Sequence, residues 1–265
     1  MRAVQITAWA SIATAEEREA FNPRRDLPNR KHLKLMTPSV RLGVAAIGKA
    51  LAARQGWEDV PAERRGLFVG TTPGTGEGGD LAPALEAAVG ADGAVDLERF
   101  GREGEALVPP LWLVRGLSNN ILGFASAYWD LRGVNGNRTE GRVSGLGALV
   151  DGYWAVAEGR ADLVIAGGAD ALAEAEAILG HPAGDGAAFV VLEPGAGPLR
   201  VQRAGVRLRA EGCATLAEPD LGAADGPVRL VRQLASGARS LRVEVCDPMG
   251  LTGFIELAGP DAARA

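Results

Sequence analysis

Short unbroken apolar runs alternate along this chain with stretches in helical spacing, and the two patterns predict layered strands and helices. Val4 to Ile12 is rich in β-formers and reads as a strand. The charged stretch EEREAFNPRRDLPNRK after it reads as a surface connection. Thr37-Pro38-Ser39 then opens a helix: a capping Thr and a Pro at the first helical position precede apolar Val40, Val44, Ile47 and Leu51. Gly66 to Gly70 (GLFVG) is an all-apolar run of the kind a strand buried on both faces requires, and it ends in the glycine loop TTPGTGEGGD.

Farther along, ALEAAV predicts a helix followed by a polar, Gly-containing stretch. LWLVRGLSNNILGFASAYWDL reads as one helical segment, and its two Gly and two Asn suit a buried, function-bearing element better than an isolated helix. LGALVDGYWAVAEGRA predicts an amphipathic helix, and ADLVIAGGAD a buried strand with a Gly-Gly exit. AAFVVLEP, PLRVQRAGVRLRA and SLRVEVCDP read as strands, with PVRLVRQLA a short helix before the last. Continuous apolar strands alternating with helices indicate an α/β layered fold with a largely parallel or mixed sheet. The Pro-Gly-Ala-Gly-Pro connector at 194–198 is the candidate boundary.

Composition narrows the function classes. The 265 residues carry 28 Lys plus Arg against 33 Asp plus Glu, a net charge of −5, with no basic stripe of the kind that grips a phosphate backbone. Nucleic acid is therefore not expected as a partner. Gly supplies 37 residues, about twice the usual share, which implies many tight turns and close backbone approaches. Cys213 and Cys246 are too few for a disulfide framework or a Cys-based zinc site, and a reducing cytosol fits them best. The N-terminal stretch has no apolar signal-peptide core and no run long enough to span a membrane, so a cytoplasmic protein is expected.

Candidate chemistry is sparse. TTPGTGEGGD stands at a strand exit where backbone N–H groups can cradle an anion, but neither G-x-x-x-x-G-K-[ST] nor a dinucleotide fingerprint is present, and a plain glycine turn explains it better. His32 and His181 are the two histidines. His32 lies in basic NRKHLK, where a solvated surface position is expected, and His181 lies in the loop GHPAGDG beside Asp185. There is no G-x-S-x-G elbow and no H-E-x-x-H. Cys246 stands at a strand end, where α/β folds place ligands, although a free Cys is more often a small buried hydrophobe.

From Val108 to Glu193 the chain resembles the β-ketoacyl synthases of the thiolase superfamily, including their ketosynthase-like partner subunits. In that family a Gly-Pro-Asn stretch leads to Thr-Ala-Cys-Ala-Ser-Gly, and the Cys at the following helix N-terminus attacks the acyl thioester. Here Gly133-Val134-Asn135 is followed by Thr139-Glu140-Gly141-Arg142-Val143-Ser144-Gly145, so the Ser-Gly is kept and Arg142 stands at the Cys position. Ala166-Gly167-Gly168-Ala169 is similar to the family's Ala-Gly-Gly-Ala strand, and Gly184-Asp185-Gly186-Ala187 to its Gly-Glu-Gly-Ala strand. Upstream, Lys34-Leu35-Met36 with its helix and GLFVGTTPG sit in the expected order, so the resemblance covers roughly residues 1–200.

The resemblance implies a thiolase-like fold with one complete α/β half, residues 1–198, and a curtailed second half, 199–265, packed on the same core. It also exposes what is missing. A ketosynthase needs a thiolate and two His, or His and Asn, from its second half, and a guanidinium is no nucleophile. The family's His-Gly-Thr strand end would fall near Cys246-Asp247-Pro248, and its Lys and Gly-His region has no counterpart. Arg142 at a helix N-terminus needs an anionic partner, either Glu140 or one supplied by another subunit; it could instead hold a carboxylate or phosphate of a bound group.

The expected role is a non-catalytic ketosynthase-like subunit, similar to a chain-length factor, pairing with an active β-ketoacyl synthase in a fatty-acid or polyketide-type pathway. Family members pair through the strand before the nucleophile helix, here Asn135 to Thr139; an acyl carrier protein is a further expected partner, and no cofactor is implied. Trp112, Phe124, Tyr128, Trp129 and Trp154 are candidates for an acyl tunnel or the pair interface, with core packing as the plainer explanation. The alternatives are an acyltransferase or thioesterase using Ser144, His181 or Cys246, and a homodimer that binds an acyl or coenzyme A-like ligand.

Overall fold

The computed structural model describes residues 1–72, 78–208 and 219–258; Cys213 and residues 73–77 of the glycine loop lie outside them. Eight strands form one mixed sheet: β1 (Val4–Ile12), β2 (Arg65–Gly70), β3 (Asn135–Arg138), β4 (Leu163–Ala171), β5 (Asp185–Pro194), β6 (Arg200–Leu208), β7 (Leu241–Cys246) and β8 (Leu251–Ala258). Their order is β3-β2-β4-β5-β1-β6-β8-β7. Only β3, β2 and β4 run parallel to one another, and every other pairing is antiparallel, so the sheet is mixed rather than largely parallel. Four longer helices pack on it: α1 (Pro38–Ala53), α2 (Asn120–Trp129), α3 (Ser144–Ala157) and α4 (Asp225–Ala235).

Alternation along the strands builds two cores, one on each face. In β5, Ala188, Val190 and Leu192 join the core beneath α3 and α4, while Ala187, Phe189 and Val191 join the core beneath α1 and α2. β1 changes face midway: Val4 and Ile6 point to the first core and Ala8 and Ile12 to the second, because the register slips between Ile6 and Ala8. One extra residue at Thr7 inverts everything after it. β1 and β6 are joined at the single pair Gln5 and Arg200, so β6-β8-β7 hangs from the rest as a flap. Val201, Val243, Val245, Ile255 and Leu257 of this flap close over α3 and α4 from the other side.

The helix at Thr37 forms as expected, with Thr37 Oγ1 accepting from Val40 N. The charged segment after β1 is not a plain connection. It folds into three short helical turns, Ala15–Ala20, Pro23–Asp26 and Arg30–Leu35, capped by Thr14, Asn22 and Asn29, and Thr14 with Glu17 makes a complete capping box. The segment expected as one buried helix from Leu111 is broken: Trp112–Arg115 and α2 are separated by Gly116 to Asn119, and the first piece is largely exposed. β3 forms where the resemblance sets a strand although its residues are polar, and β8 completes the sheet at a position where no strand is expected from the residues.

Candidate functional site

β2 and β4 run side by side; β2 ends at Gly70, opposite Gly168, while β4 continues to Ala171, and α3 starts directly beneath Gly70 and Gly168. Glycine is required for that approach. A Cβ on Gly70 would overlap the Ser144–Gly145 peptide, and one on Gly145 would overlap the Ala223 carbonyl oxygen. Immediately before α3, Gly141 to Val143 make a single 3-10 turn, with Gly141 at φ +64, and this turn presents Arg142 inward.

Arg142 is 6% exposed. Its Nε donates to Asp220 Oδ1 at 2.9 Å and its Nη2 to Asp225 Oδ2 at 3.2 Å, while its backbone N–H donates to Asp247 Oδ2 at 3.2 Å. Asp225 is shared with Arg229 one turn along α4, at 2.9 Å. Asp220 Oδ1 also accepts from Gly222 N, and its Oδ2 meets His181 Nε2 at 3.0 Å. The expected pairing with Glu140 is not made: Glu140 is held by Arg138, which also forks onto Asp151 with two bonds of 2.7 Å. The partner of Arg142 comes instead from 78 and 83 residues downstream, so this side chain pins the start of α3 to the second part of the chain.

Asp170, at the end of β4, is wholly buried beside this cluster. It accepts from Thr72 N, Thr72 Oγ1 and Ala223 N, at 3.0, 2.8 and 2.6 Å. Burial pushes its carboxyl up to about 7, and the neighbouring Asp220 charge adds to this against the pull of the three donors. Nothing in the sequence pattern marks Asp170, Asp220 or Asp225 as a cluster, because the topology alone brings their segments together.

The other candidates border this cluster without bonding to one another. Ser144 is fully buried; its hydroxyl donates to Gly141 O at 2.7 Å and accepts from Glu140 N at 2.6 Å, which makes it a clamp on the turn. Cys246 is buried, and its thiol donates to the Asp247 carbonyl. His181 contacts neither of them, and its carboxylate is Asp220 rather than Asp185. Among the described residues no hydrogen bond joins a Ser or Cys to a His. No cluster of described residues has the make-up of a metal site.

His32 is half-buried rather than solvated. Its Nδ1 lies 2.8 Å from Tyr128 Oη, and its ring stacks on Tyr128 and tilts against Phe124. Phe124, Tyr128 and Trp129 therefore pack α2 onto α1, where the Trp129 ring sits over Gly48, on the opposite face of the sheet from Arg142. Trp154 packs with Tyr153 on the α3 side, and Trp112 is half-exposed on its short helix. Among the described residues these aromatics fall in separate packing regions.

The fold that carries the start of α3 has relatives. The chain matches the family model for the β-ketoacyl synthase N-terminal domain over residues 5–216. It belongs to the β-ketoacyl synthase family. No curated protein matches it. Among solved structures, a chain of the AntDE:AntF complex, a type II PKS acyl-carrier protein with its ketosynthase bound to the hexaketide, superposes with a TM-score of 0.77 at 13% identity, covering 98% of this chain and 100% of that one. A β-ketoacyl synthase from Burkholderia phymatum STM815 gives 0.61 at 20% identity, covering 82% of this chain and 67% of that one. The ishigamide ketosynthase/chain length factor gives 0.61 at 19%, covering 80% and 65%. At these identities the structural likeness establishes the ketosynthase fold. The chain spans about two thirds of the latter two relatives and the whole of the first.

Proposed function

We propose that this chain is a non-catalytic ketosynthase-like subunit that pairs with an active β-ketoacyl synthase in a fatty-acid or polyketide-type pathway. Arg142 carries the proposal. It stands where the family resemblance sets the attacking Cys, it is buried, and carboxylates of the same chain take up its charge. A guanidinium cannot attack a thioester, and one already held by two carboxylates is a poor receptor for a third anion. The rival idea of an acyl or phosphate clamp at Arg142 is thereby disfavoured.

Two surface features support pairing. β3 is the edge strand of the sheet, with one row of backbone groups open to a partner strand, in agreement with pairing around Asn135 to Thr139. The segment between β2 and β3 also leaves Leu97, Leu107, Leu111, Leu113, Val114 and Leu117 exposed, apolar side chains that a partner could cover. An acyl carrier partner is supported by a groove over the short helical turns, lined by Arg24, Arg30, Lys31, Lys34 and Arg41 without a carboxylate, which suits an acidic protein.

Co-expression with a ketosynthase followed by native mass spectrometry tests the pairing. A one-to-one complex is the expected result. A homodimer that ignores the ketosynthase and retains an acyl or coenzyme A ligand would replace this reading with the binding-protein alternative.

A further inference from the structure

His181 sits in the loop 172–184 between β4 and β5, with its side chain 27% exposed. Its Nδ1 lies 3.0 Å from the Leu179 carbonyl oxygen and its Nε2 3.0 Å from Asp220 Oδ2. A backbone carbonyl can only accept. Asp220 already accepts from Arg142 Nε and Gly222 N through its other oxygen, so it faces the ring as an acceptor too. A neutral imidazole has a single N–H and can satisfy one of these contacts; the imidazolium satisfies both.

Beside the ring, the inner end of the loop is tied to Asp220 by two backbone bonds, Asp220 N to Pro182 O and Gly184 N to Asp220 O, both 2.9 Å, and its base is closed by Leu172 N to Gly184 O at 3.2 Å and Ala173 N to Asp185 Oδ1 at 3.0 Å. Ala183 N also reaches Glu176 Oε2 at 3.4 Å, so His181 is the contact in this loop that depends on a titrating side-chain donor. Its outer turn leaves Ile178 89% exposed. The charged groups around the ring are Asp220 in front, Arg142 behind it on the turn before α3, Glu174 and Glu176 along the groove of its own loop, and Asp170 deeper at the end of β4. Asp220 outweighs Arg142 at the ring and favours the charged form.

We propose that His181 is a proton-operated latch, which holds the 172–184 loop against Asp220 while the ring is charged and releases it as the pH rises. Deprotonation removes one of the two N–H donors, so either the Leu179 turn or the Asp220 contact opens. Loss of the Asp220 contact exposes the outer oxygen of a carboxylate that also holds Arg142, and the loop then uncovers the charge cluster to solvent. The latch is closed below the ring's ordinary titration range and open above its raised value.

Two measurements test it: the ring titration of His181 by NMR, and hydrogen exchange of the loop amides, corrected for intrinsic rates, between about pH 6 and about pH 9. The expected results are a titration above the ordinary His value and a drop of roughly tenfold or more in protection at 172–184, with β5 unchanged. His181→Gln, which donates but does not titrate, is expected to abolish that pH dependence. A ring that titrates at or below the ordinary value, loop protection that does not change with pH, or a His181→Gln protein with the same pH dependence would overturn the latch.

Discussion

Replacing Arg142 by Met, which keeps the unbranched stem of the side chain and removes the charged guanidinium, leaves Asp220 and Asp225 buried with one cation fewer. The two ion pairs lost are 2.9 and 3.2 Å long, between side chains only 4% to 8% exposed, so solvent screens them little. Removing one partner of a buried pair costs about 3–5 kcal/mol, because the other charge is left uncompensated. Here Asp220 keeps His181 and Gly222 N, and Asp225 keeps Arg229, which places the loss at the lower end, about 3 kcal/mol. For a chain of this size that corresponds to a fall in Tm of roughly 6–12 °C. Urea unfolding with a check that the m-value is unchanged reads the same quantity. Arg142→Lys should recover only part of the loss, since an ammonium cannot reach two carboxylates in the planar arrangement of a guanidinium. A loss below about 1 kcal/mol for Arg142→Met would refute the reasoning, since it would mean that the carboxylates do not depend on this cation.

Other outcomes follow from the same geometry. Asp170 and His181 both bind protons more tightly folded than unfolded, so stability should decline as pH rises, through the range from 3.8 to about 7 for Asp170 and above 6.5 for His181. The carboxylates held low by partners, such as Asp162, act in the opposite sense only on the acid side of their ordinary range, so thermal melts between about pH 5 and pH 8 should show Tm falling; a rise would contradict the assignment. Gly145→Ala should destabilise by about 1–3 kcal/mol or more in urea unfolding, because the new methyl meets the Ala223 carbonyl oxygen, and a neutral result would mean that α3 is free to shift. Leu113→Glu, at a position 70% exposed, should leave the isolated chain's stability within about 0.5 kcal/mol and weaken pairing with a ketosynthase by about tenfold or more, read by titration calorimetry; unchanged pairing would move the interface elsewhere.

The parts of the fold that were legible in the residues are those whose signal is local. Thr37-Pro38 marks a helix start by its own capping chemistry, and GLFVG and ADLVIAGGAD declare buried strands by being apolar throughout. β3 is polar, Asn-Gly-Asn-Arg, because an edge strand can be held by backbone bonds to β2 alone. β8 hides because Gly253 and Glu256 interrupt its apolar run, although they face α3 and the arginines of the neighbouring strands respectively. The departure at Arg142 was visible, and so was its need for an anion. Its partners were not, since they lie 78 and 83 residues away and meet it only through the packing of α3 against α4. His32 shows the same limit: its neighbours in the chain are basic and solvated, yet its ring turns toward Tyr128, 96 residues on.

The claim that Arg142 fills a site without chemistry is tested most directly by intact-protein mass spectrometry after incubation with acyl and malonyl thioesters, on the carrier protein and on coenzyme A. The account predicts an unchanged mass for the chain, alone and in complex with a ketosynthase, and no condensation by the isolated Arg142→Cys variant. A mass increase of one acyl group mapped to Ser144 or Cys246 would make the chain an acyltransferase or thioesterase and contradict the account.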